Sequence, residues 1–213
     1  MLKLSQTSKL GCKSWSLEAV TTCPGSKAED GGLVPACQGC YARGGNYRFP
    51  NVKAPRLHNQ EDWQRASWED DMVDALQTES EFRWFDSGDC YAIKLAQKMF
   101  RVMVRTPHVR HWFPTRMYKF KKFQAILDEM NALPNVVVRF SSDSVTGHYG
   151  PEHGSTILPS ADVATSDVHV CRAYENGGKC GSCRACWNKN IPVIGYVAHG
   201  KTMQKVIKLH LAA

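Results

Sequence analysis

Apolar positions recur at helical spacing in three stretches of this chain, and short unbroken apolar runs separate them. From Glu61 to Gln77, EDWQRASWEDDMVDALQ sets Trp68, Met72, Val73 and Leu76 on one face with acidic residues opposite, which predicts an amphipathic helix. EFRWFDSGD then predicts a strand. Tyr91 to Val104 predicts a second helix carrying Ile93, Leu95, Ala96, Met99, Phe100 and Met103, stopped near Pro107, and HVRHWFPT a second strand with an aromatic end. Phe120 to Leu133 predicts a third helix, broken at Pro134. NVVVRFSSD is a continuous apolar strand ending in small polar residues, and IPVIGYVAHG is a last strand.

Strand and helix take turns, so parallel strands joined by right-handed crossovers are expected. About four to six units fit this length, fewer than a full barrel of about 250 residues holds. The expected fold class is therefore α/β: an incomplete TIM-like (βα) barrel over about residues 1–165, with a cysteine-rich cluster-binding loop at 171–187 and a final strand at 191–198 packed on it. With 43% hydrophobic content, 213 residues bury one core rather than two, and no repeat or linker divides residues 1–213, so a single domain is expected.

Ligand chemistry gathers at the carboxyl ends of parallel strands. Here those ends are Asp86-Ser87-Gly88-Asp89, Pro114-Thr115-Arg116 and Ser141-Ser142-Asp143, each polar directly after apolar residues. Any one of them alone reads as a cap for the next helix. Three together read as a site.

Nine cysteines then change the picture. The start MLKLSQTSKL has no long apolar run before a small-residue cleavage site, and nothing later reaches membrane-spanning length, so a reducing cytoplasm without a membrane partner is expected. Thiols bunched in such a compartment favour metal over cystine. Cys171, Cys180, Cys183 and Cys186 stand in CRAYENGGKCGSCRAC. Three thiols at successive intervals of three with a fourth nine residues earlier can wrap a 4Fe-4S cluster. Zinc is the competing reading, although it more often uses two separated CxxC pairs. Gly177, Gly178 and Gly181 suit either, because a loop folding round a metal needs backbone without side-chain bulk.

Cys23, Cys37 and Cys40 form a second group. Three thiols leave one coordination position open, and an iron without a protein ligand can bind a small molecule and pass it an electron. Two alternatives stay open: Cys12 as a fourth ligand, or the CxxC pair joining other thiols round one shared metal. Cys12 and Cys90 are otherwise unassigned. The formal charge of +7 treats cysteines as neutral, and two loaded clusters would bring it to about +4, so the basic balance is weak evidence for nucleic acid.

CPG at Cys23, CQGCYARGG at Cys37 and Cys40, FDSGD ending at Asp89, HWFPTR ending at Arg116 and KCGSCRACW ending at Trp187 occur in order, and with them the chain resembles the phage and prophage family called gene product 88 over nearly its whole length. That resemblance implies a protein of an infected host cell and brings little mechanism. More remotely, the layout is similar to radical S-adenosylmethionine enzymes, in which three cysteines after the first barrel strand hold a 4Fe-4S cluster whose open iron chelates the cofactor. That family spaces its cysteines CxxxCxxC with an aromatic before the third. Here thirteen residues separate Cys23 from Cys37, and Gly39 precedes Cys40. The likeness implies cofactor contacts at Ser87, Gly88 and Asp89, ribose contacts at Ser141 to Asp143, and an auxiliary cluster at the C-terminal cysteines.

Three functions are therefore expected to compete. In the first, an enzyme, a reduced cluster cleaves a bound sulfonium while Asp89, Ser142 and Asp143 position it and Arg116 holds an anionic group. The second is a nucleic-acid-binding or regulatory protein with structural metals, suggested by the basic aromatic stretch RVMVRTPHVRHWFPTRMYKFKKF, whose bland reading is barrel residues with a solvated charged face. The third is an electron-transfer protein with both clusters closed. His148 and His153 in GHYGPEHG, and His199, read as loop histidines. No P-loop or HExxH pattern points to hydrolysis.

Overall fold

A computed structural model describes residues 1–212 of the chain. Strands β1 (Ser5–Gln6), β2 (Lys13–Trp15), β3 (Glu81–Trp84), β4 (Arg110–Thr115) and β5 (Val136–Phe140) form one sheet in that order, antiparallel only between β1 and β2. Strands β6 (Ser155–Leu158), β7 (Val168–Cys171) and β8 (Val193–Val197) form a second, all-parallel sheet in the order β6-β8-β7. Just past the end of β5, Ser141 pairs in parallel with Ser155 at the start of β6, and the Ser142 N–H donates to the Ser155 carbonyl at 2.8 Å. The parallel α/β character expected from the alternating pattern is present. Among the described residues no strand pairing joins β1 or β2 to β7, so the arc of strands has two free ends.

Six α-helices accompany the strands among the described residues: α1 (Pro35–Gln38), α2 (Pro50–Asp62), α3 (Trp68–Leu76), α4 (Ile93–Arg105), α5 (Gln124–Ala132) and α6 (Lys201–Leu211). The helices expected over Tyr91 to Val104 and Phe120 to Leu133 are present as α4 and α5, but the helix expected over Glu61 to Gln77 is interrupted between Asp62 and Trp68. The Lys98 ammonium takes the freed carbonyls of Trp63 (3.1 Å) and Arg65 (2.8 Å) and so compensates the break.

Helices α3, α4 and α5 cover one face of the first sheet. Trp68, Met72, Leu76, Leu95, Met99, Met103, Leu127 and Met130 meet Trp15, Phe82, Trp84, Phe113 and Val136 in one buried cluster. Trp15 meets Trp68 edge-on at 5.3 Å, and Phe82 meets Trp84 at 5.0 Å. Each fully buried Leu or Phe contributes about 1.5–3 kcal/mol. His111, the polar member of that face, is satisfied inside it: Trp84 Nε1 donates to Nδ1 at 3.2 Å and Nε2 lies 2.9 Å from Thr106 Oγ1.

Strand residues alternate between faces, so the intervening positions Arg83, Trp112 and Arg139 point the other way. There Leu10, Cys12, Trp112 and Trp187 cluster, with Cys180, Cys186 and Tyr196 packed against them. Trp187 Nε1 donates to the Phe82 carbonyl at 3.0 Å, which lays the cysteine-rich loop onto the sheet face opposite the helices. Arg139, only 2% exposed, holds that loop. Its guanidinium donates to the carbonyls of Cys186 (2.9 Å), Ala185 (3.0 Å), Asn188 (2.8 Å), Ile191 (3.0 Å), Gly154 (3.3 Å) and Pro192 (3.4 Å). A planar fork of five N–H donors suits this convergence of backbone oxygens, and an ammonium does not.

Candidate metal centre

The three strand ends singled out in the sequence do come together, at the carboxyl ends of β3, β4 and β5. Asp89, 6% exposed, accepts from the Thr115 hydroxyl (2.7 Å), the Arg116 N–H (2.9 Å) and the Cys90 N–H (2.7 Å). Burial nevertheless pushes its carboxyl above the usual range, the three hydrogen bonds pulling the other way. Arg116 turns its side chain to Asp143 (Nε to Oδ1, 3.0 Å) and to the Ser142 carbonyl (2.7 Å), and Lys119 pairs with the other Asp143 oxygen. Asp89 thus clips β3 to β4, and Arg116 clips β4 to β5.

The first cysteine group is seated on this platform. Cys23 caps a short 3-10 turn (Pro24–Ser26), and a Cβ on Gly25 would stand 2.6 Å from the Arg116 Cβ and 2.7 Å from its carbonyl oxygen. The Lys119 ammonium reaches the Gly25 carbonyl at 3.1 Å. On the other side, the Ala36 N–H donates to the Asp143 carbonyl at 2.9 Å, docking α1 and with it Cys37. Cys40 begins a second 3-10 turn (Tyr41–Arg43), and Gly39 lies so close to α6 that a Cβ would be 2.9 Å from the Met203 Cα.

Burial and neighbouring charge act on two of these thiols. Burial pushes Cys23 up to about 12, with Asp89 and then Cys37 and Cys40 adding to the rise. Burial also raises Cys37, against the Arg116 cation. In return, burial alone would lower the Arg116 guanidinium, but Cys37 and Asp143 hold it above its ordinary value. Cys23 and Cys37 therefore lie within electrostatic reach of the other thiols, beside two cations, Arg116 and Lys119, and two carboxylates, Asp89 and Asp143.

The C-terminal group assembles differently. The Cys180 N–H donates to the Lys9 carbonyl at 2.8 Å, Cys171 ends β7, and Cys186 Sγ lies 3.6 Å from the Tyr196 hydroxyl. Burial pushes Cys186 to about 11, and Cys171 contributes to the rise at both Cys180 and Cys186. Cys183 is exposed, with its sulfur 3.9 Å from His169 Nε2. Arg184 anchors the loop to β3 through Glu81 at 2.5 Å.

All nine cysteines are free thiols. Among the described residues, no group of three or more His, Cys, Asp or Glu side chains closes on a point as one metal ion would require. Cys12 packs with Trp112, Trp187, Cys180 and Cys186, on the side of the second group rather than beside Cys23. Cys90 is fully buried in the helix-side core.

Several expected contacts are used within the protein. Ser87 Oγ donates to the Leu17 carbonyl (2.7 Å) and accepts from Arg56 Nε (2.6 Å), and a Cβ on Gly88 would meet Leu17 and Thr22. Ser142 Oγ donates to the His148 carbonyl at 2.7 Å. His153 is held by Tyr118 (2.8 Å) and the Gly150 N–H (2.7 Å), and His199 is exposed.

Arg56, Arg83, Lys119, Arg139 and His169 were missed by sequence reasoning. An arginine inside NVVVRF and another inside EFRW were the available signals, since a cation in an apolar parallel strand must find partners. Arg83 stacks over Trp112 at 4.6 Å and reaches the Tyr41 hydroxyl at 3.5 Å. In the basic stretch, Arg101 pairs with Glu69, Arg105 with Asp70, Arg110 with Glu81 and Arg116 with Asp143, while Trp112 and Phe113 are buried. No helix among the described residues is long and apolar enough to cross a membrane.

A family model described as Gene product 88 matches residues 2–189. No curated protein and no solved structure matches the chain.

Proposed function

The chain belongs to the gene product 88 family, and from that premise we propose that it is an iron-sulfur protein of the infected host's reducing cytoplasm, with a reactive 4Fe-4S cluster on Cys23, Cys37 and Cys40 and a second centre on Cys171, Cys180, Cys183 and Cys186. The open arc of parallel strands is read as an incomplete (βα) barrel, with the reactive centre at its carboxyl-end face. The observation that carries this reading is the seating of the Cys23 turn on Arg116 through Gly25 and of the Cys37-Cys40 turn between Asp143 and α6 through the Ala36 N–H and Gly39.

The donor set fits the group. A single ion needs every sulfur within about 2.3 Å of one point, whereas a cubane offers separate irons to separate thiolates. Thiols carried on two separate turns, one beginning at Cys23 and the other holding Cys37 and Cys40, suit the latter. When bound, the cluster would supply an electron to a small molecule at the iron that lacks a protein ligand. The chain's own part is to hold the site: Arg116 offsets thiolate charge, Lys119 and Asp143 fix its side chain, and Asp89 fixes its backbone.

Ser87, Gly88 and Asp89 are occupied by neighbours, so no contact to S-adenosylmethionine is assigned to them and no step is derived through it. Radical chemistry is one branch of the test. Anaerobically purified protein is assayed for iron and sulfide: about eight irons per chain support both centres, about four support one, and zinc without sulfide overturns the reading. Reduction with dithionite and S-adenosylmethionine then separates the branches, since 5′-deoxyadenosine marks radical cleavage and its absence leaves electron transfer.

A second reading concerns only the C-terminal group. His169 Nε2 beside Cys183 supplies an imidazole, a ligand typical of zinc, which favours a structural zinc site there.

A further inference from the structure

A cleft of about 330 Å³ opens beside the first cysteine group, lined by Glu18, Val20, Ala42, Arg43, Tyr47, Arg48 and Lys53. None of these cations was assigned a role above. Arg43 belongs to the turn that Cys40 begins, and its N–H donates to the Cys40 carbonyl at 3.2 Å. Val20 adopts φ +69°, a left-handed conformation costly for a β-branched residue, and its carbonyl accepts the Cys23 N–H at 3.1 Å. Both walls of the cleft are therefore continuous in backbone with the thiols.

Its charge is unbalanced. Glu18 is the one carboxylate among the lining residues, and Lys53 pairs with it at 3.1 Å. Among the described residues, the guanidinium groups of Arg43 and Arg48 have neither an ion-pair nor a hydrogen-bond partner, although the other lining cation does. Arg43 and Arg48 are exposed at the cleft's rim, and two free planar forks there match the oxygens of a phosphoryl group, which guanidinium binds in bidentate fashion.

We infer that this cleft binds a small phosphorylated compound, of the diphosphate class, beside the turns that carry Cys23 and Cys40. Anion binding stands on the cleft alone and not on the proposed reactive centre. A polynucleotide is disfavoured, because strand binding needs a cationic track along the surface, whereas these cations share one recess of a size suited to small ligands.

The test is calorimetric titration of the full chain with inorganic pyrophosphate at low salt, with iron and sulfide counted on the same samples. Arg43→Gln and Arg48→Gln should each weaken binding about tenfold, Glu18→Gln should tighten it severalfold by removing like-charge repulsion, and Arg105→Gln on the far helix should leave it within about twofold. No binding by the wild-type chain, or equal binding by all five proteins, overturns the inference. So does a single-stranded oligonucleotide that displaces pyrophosphate at far lower concentration. Iron content is read independently, so loss of the cluster with retained pyrophosphate binding overturns the proposed centre and keeps the cleft, and the reverse pattern does the opposite.

Discussion

Gly25 and Arg116 touch backbone to backbone: a Cβ on the glycine would lie 2.6 Å from the arginine Cβ and 2.7 Å from its carbonyl oxygen. The Cys23 turn is thereby pressed onto the end of β4, and only glycine permits it. Gly25→Ala should push the turn away, at a cost of about 1–3 kcal/mol. Reconstituted protein should then lose the iron of the first centre and keep that of the second, falling from about eight irons to about four while circular dichroism stays native. An unchanged iron count would separate this turn from the metal.

Arg139 is the corresponding support for the 171–187 loop. Replacing it with Lys leaves several of its six backbone acceptors without a donor, and charge-assisted hydrogen bonds are worth about 1.5–3 kcal/mol each. Arg139→Lys should cost at least about 3 kcal/mol in urea unfolding. Exposure of the 171–187 loop to limited proteolysis should rise with it, and a variant as stable as the parent would remove Arg139 from this role.

His111 should make the fold acid-sensitive. Burial among Phe82, Trp84 and Thr106 lowers its imidazole from 6.5 to about 3, because Nδ1 faces a Trp N–H and has no room for a proton. The folded value lies below the unfolded one, so the unfolded chain binds the extra proton. This group's contribution is complete above pH 6.5 and is lost as pH falls toward about 3, by about 1.4 kcal/mol per pH unit and about 5 kcal/mol in all. In His111→Gln the slope of stability between pH 6 and pH 4 should flatten by about one proton. Chemical denaturation at each pH measures it.

His169 separates the two readings proposed for the C-terminal cysteine group. If four thiolates hold a cluster, His169→Ala should leave iron and sulfide content unchanged and Cys183→Ser should reduce both. If zinc is bound, the histidine variant should weaken metal retention about tenfold or more against a chelator. Metal analysis of the two variants reads the difference directly.

The basic stretch from Arg101 to Phe123 should contribute little to nucleic-acid affinity. Arg101, Arg105, Arg110 and Arg116 are engaged by carboxylates, and Trp112 and Phe113 are buried. Gel shifts across a salt series should give the same slope for the wild-type chain and for a double variant Arg101→Gln, Arg105→Gln. A slope reduced by about two would restore this stretch as a phosphate-binding face.

Local pattern by itself determined the alternation of α3, β3, α4, β4, α5 and β5, because side-chain periods of 3.6 and 2 are written in consecutive residues. It also singled out three polar strand ends, which the fold brings together. It did not mark β6 and β7, short strands inside polar sequence, nor α2, which begins at Pro50 and contains Pro55. Only the tertiary structure decided which groups meet. That Cys23 rests on Arg116, that Arg139 gathers six carbonyls, that Cys12 lies with the second cysteine group, and that Asp89 serves its neighbours all depend on contacts between residues far apart in the chain. Such contacts are fixed by how the sheet stacks its strands and faces, and spacing along a sequence carries no record of that.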